Sequence, residues 1–226
     1  MICILCNSRK AKRRCPAAQG DICPQCCAEQ REQTLDCPLD CEYLIESRKH
    51  ERVHSHPPAS GSHPEVEITD DFMNRNDMLL QFMTLCIGSA VFSTPGVTDA
   101  DVREGMDATI QTLKTAQSGL IYETKPANPF AASIQEKLTS EIERLRKAVN
   151  EQAGGVALRD KDILGVLVFL ARVAVSLDNG RRKGRSFMSL LRDRFGLRPK
   201  PPGDGGPEEG TAAEAPPAGG GLIITP

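Results

Sequence analysis

Residues 160–177 read DKDILGVLVFLARVAVSL. The apolar run from 163 to 177 is interrupted only by Gly165, Arg172 and Ser176. It is too short to span a bilayer and carries a charge at Arg172, so it reads as the central, mostly buried helix of a bundle. Asp160 opens it. Asp160 and Asp162, two positions apart, do not face each other; they fit a cap and favourable charge at the positive end of a helix.

The segments on either side carry the same helical period. Ile134, Leu138, Ile142, Leu145 and Val149 line one face of a helix started by Asn128-Pro129 and broken by Gly154-Gly155, with charged residues on the remaining faces. Thr98 and Asp101 form a capping box ahead of the stripe Val102, Met106, Ile110 and Leu113, which ends near Gly119. One helix is expected over 70–92, carrying Phe72, Met73, Leu79, Leu80, Phe82, Met83, Leu85, Ile87 and Val91, and stopped by Pro95-Gly96. A last helix, from about 185 to 195, closes on Gly196 with Pro199 beyond.

The amino-terminal fifth is a different material. Eight of the nine cysteines lie between Cys3 and Cys41. Cys3-x2-Cys6 and Cys23-x2-Cys26 stand sixteen residues apart, the spacing of two metal knuckles that close a tetrahedral four-thiolate zinc site. Cys27 follows Cys26 directly. In an extended stretch its side chain faces away from the first ion, which leaves it to join Cys15, Cys37 and Cys41 in a second, interleaved site. Two zinc ions are therefore expected. A region of this size with no Phe or Trp before residue 57 buries too little to fold alone, so the metal would serve as its core.

Two other uses of the thiols compete. A disulfide framework needs an oxidising compartment, and no charged and apolar leader precedes Cys3. A cluster of iron and sulfide also takes four thiolates, and Cys15, Cys23 and Cys37 each precede proline, but the tight ligand run of bacterial ferredoxins is missing. His50 and His54 have ligand spacing on a helix and could replace a cysteine, though the histidine-bearing stretch reads more simply as solvated linker.

On Cys3-x2-Cys6, Cys23-Pro-x-Cys26 and Cys37-x3-Cys41, residues 1–45 resemble the cysteine-rich two-zinc fingers, a class that includes zinc ribbons and the MYND, HIT and B-box fingers. HIT and MYND fingers end in a His/Cys pair, which this chain offers only through His50 or His54, and Cys15 has no near partner. The resemblance implies a binding role toward proteins or nucleic acids and names no ligand.

The fold class expected is mainly α: a helical bundle at 68–196, a small zinc-binding module at 1–47, a linker at 48–67 and a disordered Pro/Gly/Ala-rich tail at 197–226. Within that tail Leu222-Ile223-Ile224 is an apolar triplet that could add to a sheet edge, or chance composition.

Net charge is −2, so bulk charge selects no partner. Locally, Arg9, Lys10, Lys12, Arg13 and Arg14 fall within the first zinc loop, where they balance thiolate charge or contact phosphate. Arg181, Arg182, Lys183, Arg185, Arg192, Arg194, Arg198 and Lys200 form the better candidate for nucleic acid, against a reading as a solvated loop and helix face; aromatic residues for stacking are scarce. Cys86 sits on an apolar helix as a small hydrophobe. No phosphate-binding glycine loop, His-Glu-x-x-His helix or Cys/His pair within the helical part suggests an enzyme.

The expectation is a reduced, cytoplasmic zinc protein with no membrane span, acting as a protein-interaction or regulatory adaptor. The alternatives are a nucleic-acid-binding regulator using 9–14 and 181–200, and a zinc–thiolate redox sensor reacting at Cys26 or Cys27.

Overall fold

The computed structural model describes residues 1–54, 62–120, 122–152 and 158–196. Pro57-Pro58, Gly61, the Gly154-Gly155 break and the whole 197–226 tail, with its Leu222-Ile223-Ile224 triplet, lie outside the described residues. The chain is mainly α. Its elements are β1 (Arg13–Cys15), β2 (Gly20–Ile22), α1 (Pro24–Gln30), α2 (Glu42–His54), α3 (Asp70–Arg75), α4 (Asp77–Phe92), α5 (Asp99–Gln117), α6 (Pro129–Gln152), α7 (Asp160–Ser176) and α8 (Ser186–Phe195).

Helix α5 packs against α6 and α7, and α4 packs against α6, α7 and α8. The stripes read from sequence meet at the centre: Val102, Met106 and Ile110 of α5, Ile134 and Leu138 of α6, and Ile163, Val166 and Leu167 of α7 are fully buried. Gly105 allows α5 and α6 to approach, because a Cβ there would lie 2.8 Å from the Ala131 carbonyl oxygen and 2.9 Å from Ile134 Cβ. Leu39, two residues beyond Cys37, is buried in this same core.

The capping box forms as expected, with the Thr98 amide 2.8 Å and its hydroxyl 2.7 Å from Asp101 Oδ2. Asn128 caps α6 by accepting the Phe130 amide at 3.0 Å, and Gly196 ends α8 at φ 62°. The single helix expected over 70–92 is instead two. Asn76 sits between α3 and α4 at φ −109°, ψ 19°, and its side-chain amide donates to the Phe72 carbonyl at 3.0 Å, closing α3. Leu85, expected inside, is 43% exposed.

Arg172 explains itself in three dimensions. Its guanidinium donates to the carbonyls of Ser62, His63 and Val66 at 3.0, 2.8 and 2.8 Å, clamping the entering chain onto α7. His63, at φ 58°, lies 3.1 Å from Asp107 through Nε2, and its Nδ1 accepts from Lys114 at 2.7 Å. Part of the stretch expected as linker is thus docked structure. Helix α2 also runs beyond the expected boundary at residue 47, and Arg48 on it is buried.

Candidate metal centre

The first knuckle is a tight reversal. The Cys3 amide donates to the Arg9 carbonyl at 2.8 Å, the Asn7 amide donates to the Cys3 carbonyl at 2.9 Å, and Asn7 takes a left-handed φ of 50°. The second forms where Cys23 caps α1: Pro24 occupies the first turn, and the Cys23 sulfur accepts the Cys26 amide at 3.4 Å. The β1–β2 hairpin pairs Arg13 with Ile22 and Cys15 with Gly20, and the Ile4 amide reaches the Asp21 carbonyl at 3.1 Å. This pairing brings the two knuckles face to face.

The sulfurs of Cys3, Cys6, Cys23 and Cys26 consequently lie within 4.8 Å of one another, a group that could hold a zinc ion. Four sulfurs bound at about 2.3 Å around one zinc stand roughly 3.8 Å apart, so only a small contraction is needed.

The electrostatics suit a cation. The Ser8 hydroxyl, with the amides of Ser8 and Arg9, holds Cys6 down at about 5. The Cys26 amide likewise lowers Cys23. Burial, reinforced by the neighbouring sulfurs, pushes Cys26 up to about 12. Four thiolates do not coexist at this spacing until a cation displaces the last proton. Arg9 Nη1 adds positive charge 3.8 Å from Cys23 Sγ and 4.0 Å from Cys26 Sγ.

Cys27 reaches its own side by a different route from the one expected. Cys26 and Cys27 are both on α1, not on extended chain, and a helix turns about 100° per residue, so the two sulfurs point apart. Cys27 lines one small cavity together with Cys15, Cys37 and Cys41. Arg31 Nη2 lies 4.0 Å from Cys27 Sγ, and Arg31 Nε is buried with no hydrogen-bond partner among the described residues. The Ala18 amide donates to Cys15 Sγ at 3.4 Å. Burial raises Cys37, opposed by the nearby Glu32 backbone and helped by charge on Cys15 and Cys41. Among the described residues only the first set brings three or more ligand atoms into such mutual closeness, so the second site expected at Cys15, Cys27, Cys37 and Cys41 is not shown.

The cations named from sequence are largely engaged. Besides Arg9, Arg13 stacks 4.5 Å above the Tyr43 ring and Arg14 approaches Asp21 at 3.8 Å. The 181–185 segment is not the solvated loop expected. Arg181 donates to the carbonyls of Arg31 and Ala28 at 2.6 and 3.3 Å, and Lys183 Nζ to that of Thr34 at 3.1 Å. Arg185 pairs with Asp36 at 2.5 Å and donates to the Val97 carbonyl at 3.1 Å. The carbonyls of Ala28, Arg31 and Thr34 belong to the end of α1 and the loop behind it, where helix-end carbonyls have no intrahelical partner.

Sequence reasoning missed the residue at the centre of this contact. Glu32, 1% exposed and at φ 52°, accepts from Arg48 Nη2 at 2.6 Å, Asn179 Nδ2 at 2.9 Å and the Arg185 amide at 2.9 Å. Its carbonyl accepts the Lys183 amide at 2.7 Å. Asp99 lies near it and receives the Phe187 and Met188 amides at 2.8 and 3.1 Å. A left-handed glutamate among charged neighbours leaves no periodic signal. His50 is on α2, outside the group of four sulfurs, and the side chain of His54 lies outside the described residues. Cys86 is buried on α4, which pushes its thiol up to about 11.

No family model, curated protein or solved structure matches the chain. No helix among the described residues is long and apolar enough to cross a membrane.

Proposed function

We propose that this chain is a zinc-dependent interaction protein whose amino-terminal module binds two structural ions. One ion is held by Cys3, Cys6, Cys23 and Cys26, the other by Cys15, Cys27, Cys37 and Cys41. The observation that carries the reading is the convergence of four sulfurs from two knuckles within 4.8 Å. The second ion is supported by the shared cavity and by Arg31, whose buried, partnerless Nε fits an anionic centre beside Cys27. Each proposed centre has its own guanidinium, Arg9 for the first and Arg31 for the second.

A four-thiolate zinc is closed to water and so builds structure rather than activating a nucleophile. The module would present a surface to a protein partner in a reducing, cytoplasmic setting. Met1, Ile2 and Ile4, at 92%, 64% and 47% exposure, offer apolar area on it. The nucleic-acid reading is weakened because Arg181, Lys183 and Arg185 already bind the module's own carbonyls and Asp36.

The test is joint determination of metal and phosphorus in protein purified without chelator, followed by titration with DNA and RNA. Two zinc per chain and no binding at low salt support the proposal. Binding that falls steeply with salt would replace it with the nucleic-acid reading.

A further inference from the structure

The cysteine module and the helical bundle meet through residues that face both ways. Arg31 directs its guanidinium toward Cys27 Sγ, while its carbonyl accepts Arg181 Nη1. Glu32 accepts Arg48 of α2 on the module side, while toward the bundle its carboxylate accepts Asn179 and the Arg185 amide and its carbonyl accepts the Lys183 amide. The same loop lies between Cys27 and Cys37, so both of its ends are anchored by residues of the second sulfur set.

We infer that residues 31–32 form a latch through which the ion held by Cys15, Cys27, Cys37 and Cys41 controls the order of residues 179–188 at the start of α8. The inference rests on the second ion of the proposed function. Metal binding fixes the Cys27 and Cys37 sulfurs at the two ends of this loop, which fixes the Arg31 guanidinium and the backbone of Glu32 beside it. The carboxylate and two carbonyls on the other side are then held where 181–185 needs them. The strap in turn positions α8: the Gly184 carbonyl accepts the Asp99 amide at 2.9 Å, and Asp99 accepts the first amides of α8. Without the ion, residues 31–32 lose their anchor on the sulfur side. Few other contacts hold 179–185, chiefly those of Gly184 with Asp99 and of Arg185 with Val97 and Asp36, and the strap has no helix of its own. Segments with few independent contacts open first.

The test is hydrogen exchange on the full chain, with zinc counted in every sample. Cys41→Ser removes one ligand of the second set without touching residues 31–32. It is expected to carry one zinc fewer and to exchange the amides of 183–188 at least tenfold faster, while those of 134–142 in α6 are unchanged. One zinc fewer with unchanged protection at 183–188 overturns the latch. Asn179→Ala is the second arm: it leaves the zinc count intact, and faster exchange at 183–188 is expected. Unchanged exchange there overturns the latch from the bundle side. A wild-type count of a single zinc, with 183–188 fully protected, overturns metal control of the latch and the second ion together; the first four-cysteine centre then stands by itself.

Discussion

Glu32 Oε1 lies 2.6 Å from Arg48 Nη2, with the two side chains 1% and 5% exposed. Arg48 comes from α2, behind the cysteine module, and the other oxygen of Glu32 accepts Asn179 from the bundle. The pair is thus a buried charge contact among three parts of the chain. Among the described residues Arg48 Nε and Nη1 have no hydrogen-bond partner, which makes Glu32 the group that most directly compensates its charge.

Removing one member of such a pair leaves the other uncompensated. Glu32→Ala is expected to cost about 3–5 kcal/mol in urea unfolding. Asp36→Ala, which breaks the contact of Arg185 with a 56%-exposed carboxylate, is expected to cost under about 1 kcal/mol. Equal losses for the two variants would deny Glu32 its central place.

Asp99 gives a pH signature. Burial pushes its carboxyl up to about 6, opposed by the Phe187 and Met188 amides. An unfolded aspartate titrates near 3.9. Between these values the folded chain holds the extra proton, so this group's contribution to stability is greatest below about pH 4, declines as pH rises to about 6 and is flat above. Compared by denaturation across pH 4–7, Asp99→Asn should gain on wild type by roughly 3 kcal/mol within that window and no further above it. A constant difference would contradict the raised value.

Close helix contact gives a third outcome. Gly105→Ala sets a methyl against the Ala131 carbonyl and Ile134 Cβ, neither of which can swing away. It should destabilise by about 1–3 kcal/mol despite alanine's better helix propensity. Gly165→Ala meets the far end of the Phe72 ring, on the partly buried α3, which can move aside. The smaller loss is expected there; the reverse order would show that α5 and α6 are not held by Gly105.

The bundle was legible because its stripes repeat: Val102, Met106 and Ile110 needed only the helical period to be placed inside. The break at Asn76 was not, since its cause is one side-chain amide turning back to Phe72 in an otherwise continuous apolar pattern. In the module, Cys-x2-Cys spacing identified the four sulfurs that converge. The geometry of Cys27 does not follow from extended chain, because Cys23-Pro24 begins a helix there. The basic 181–185 segment is opaque in the sequence for a related reason. Charge density shows on the page, but the carbonyls of Ala28, Arg31 and Thr34 that receive those cations lie about 150 positions away.

The most direct test of the four-sulfur centre is zinc content before and after mutation of one knuckle, with proton release followed on reconstitution. Zinc should leave Cys6→Ser but not Cys86→Ala, and adding zinc to the demetallated wild type should release protons as residues 1–41 regain exchange protection. A chain that binds no zinc under reducing conditions, or keeps 1–41 fully protected after the metal is removed, would contradict the account.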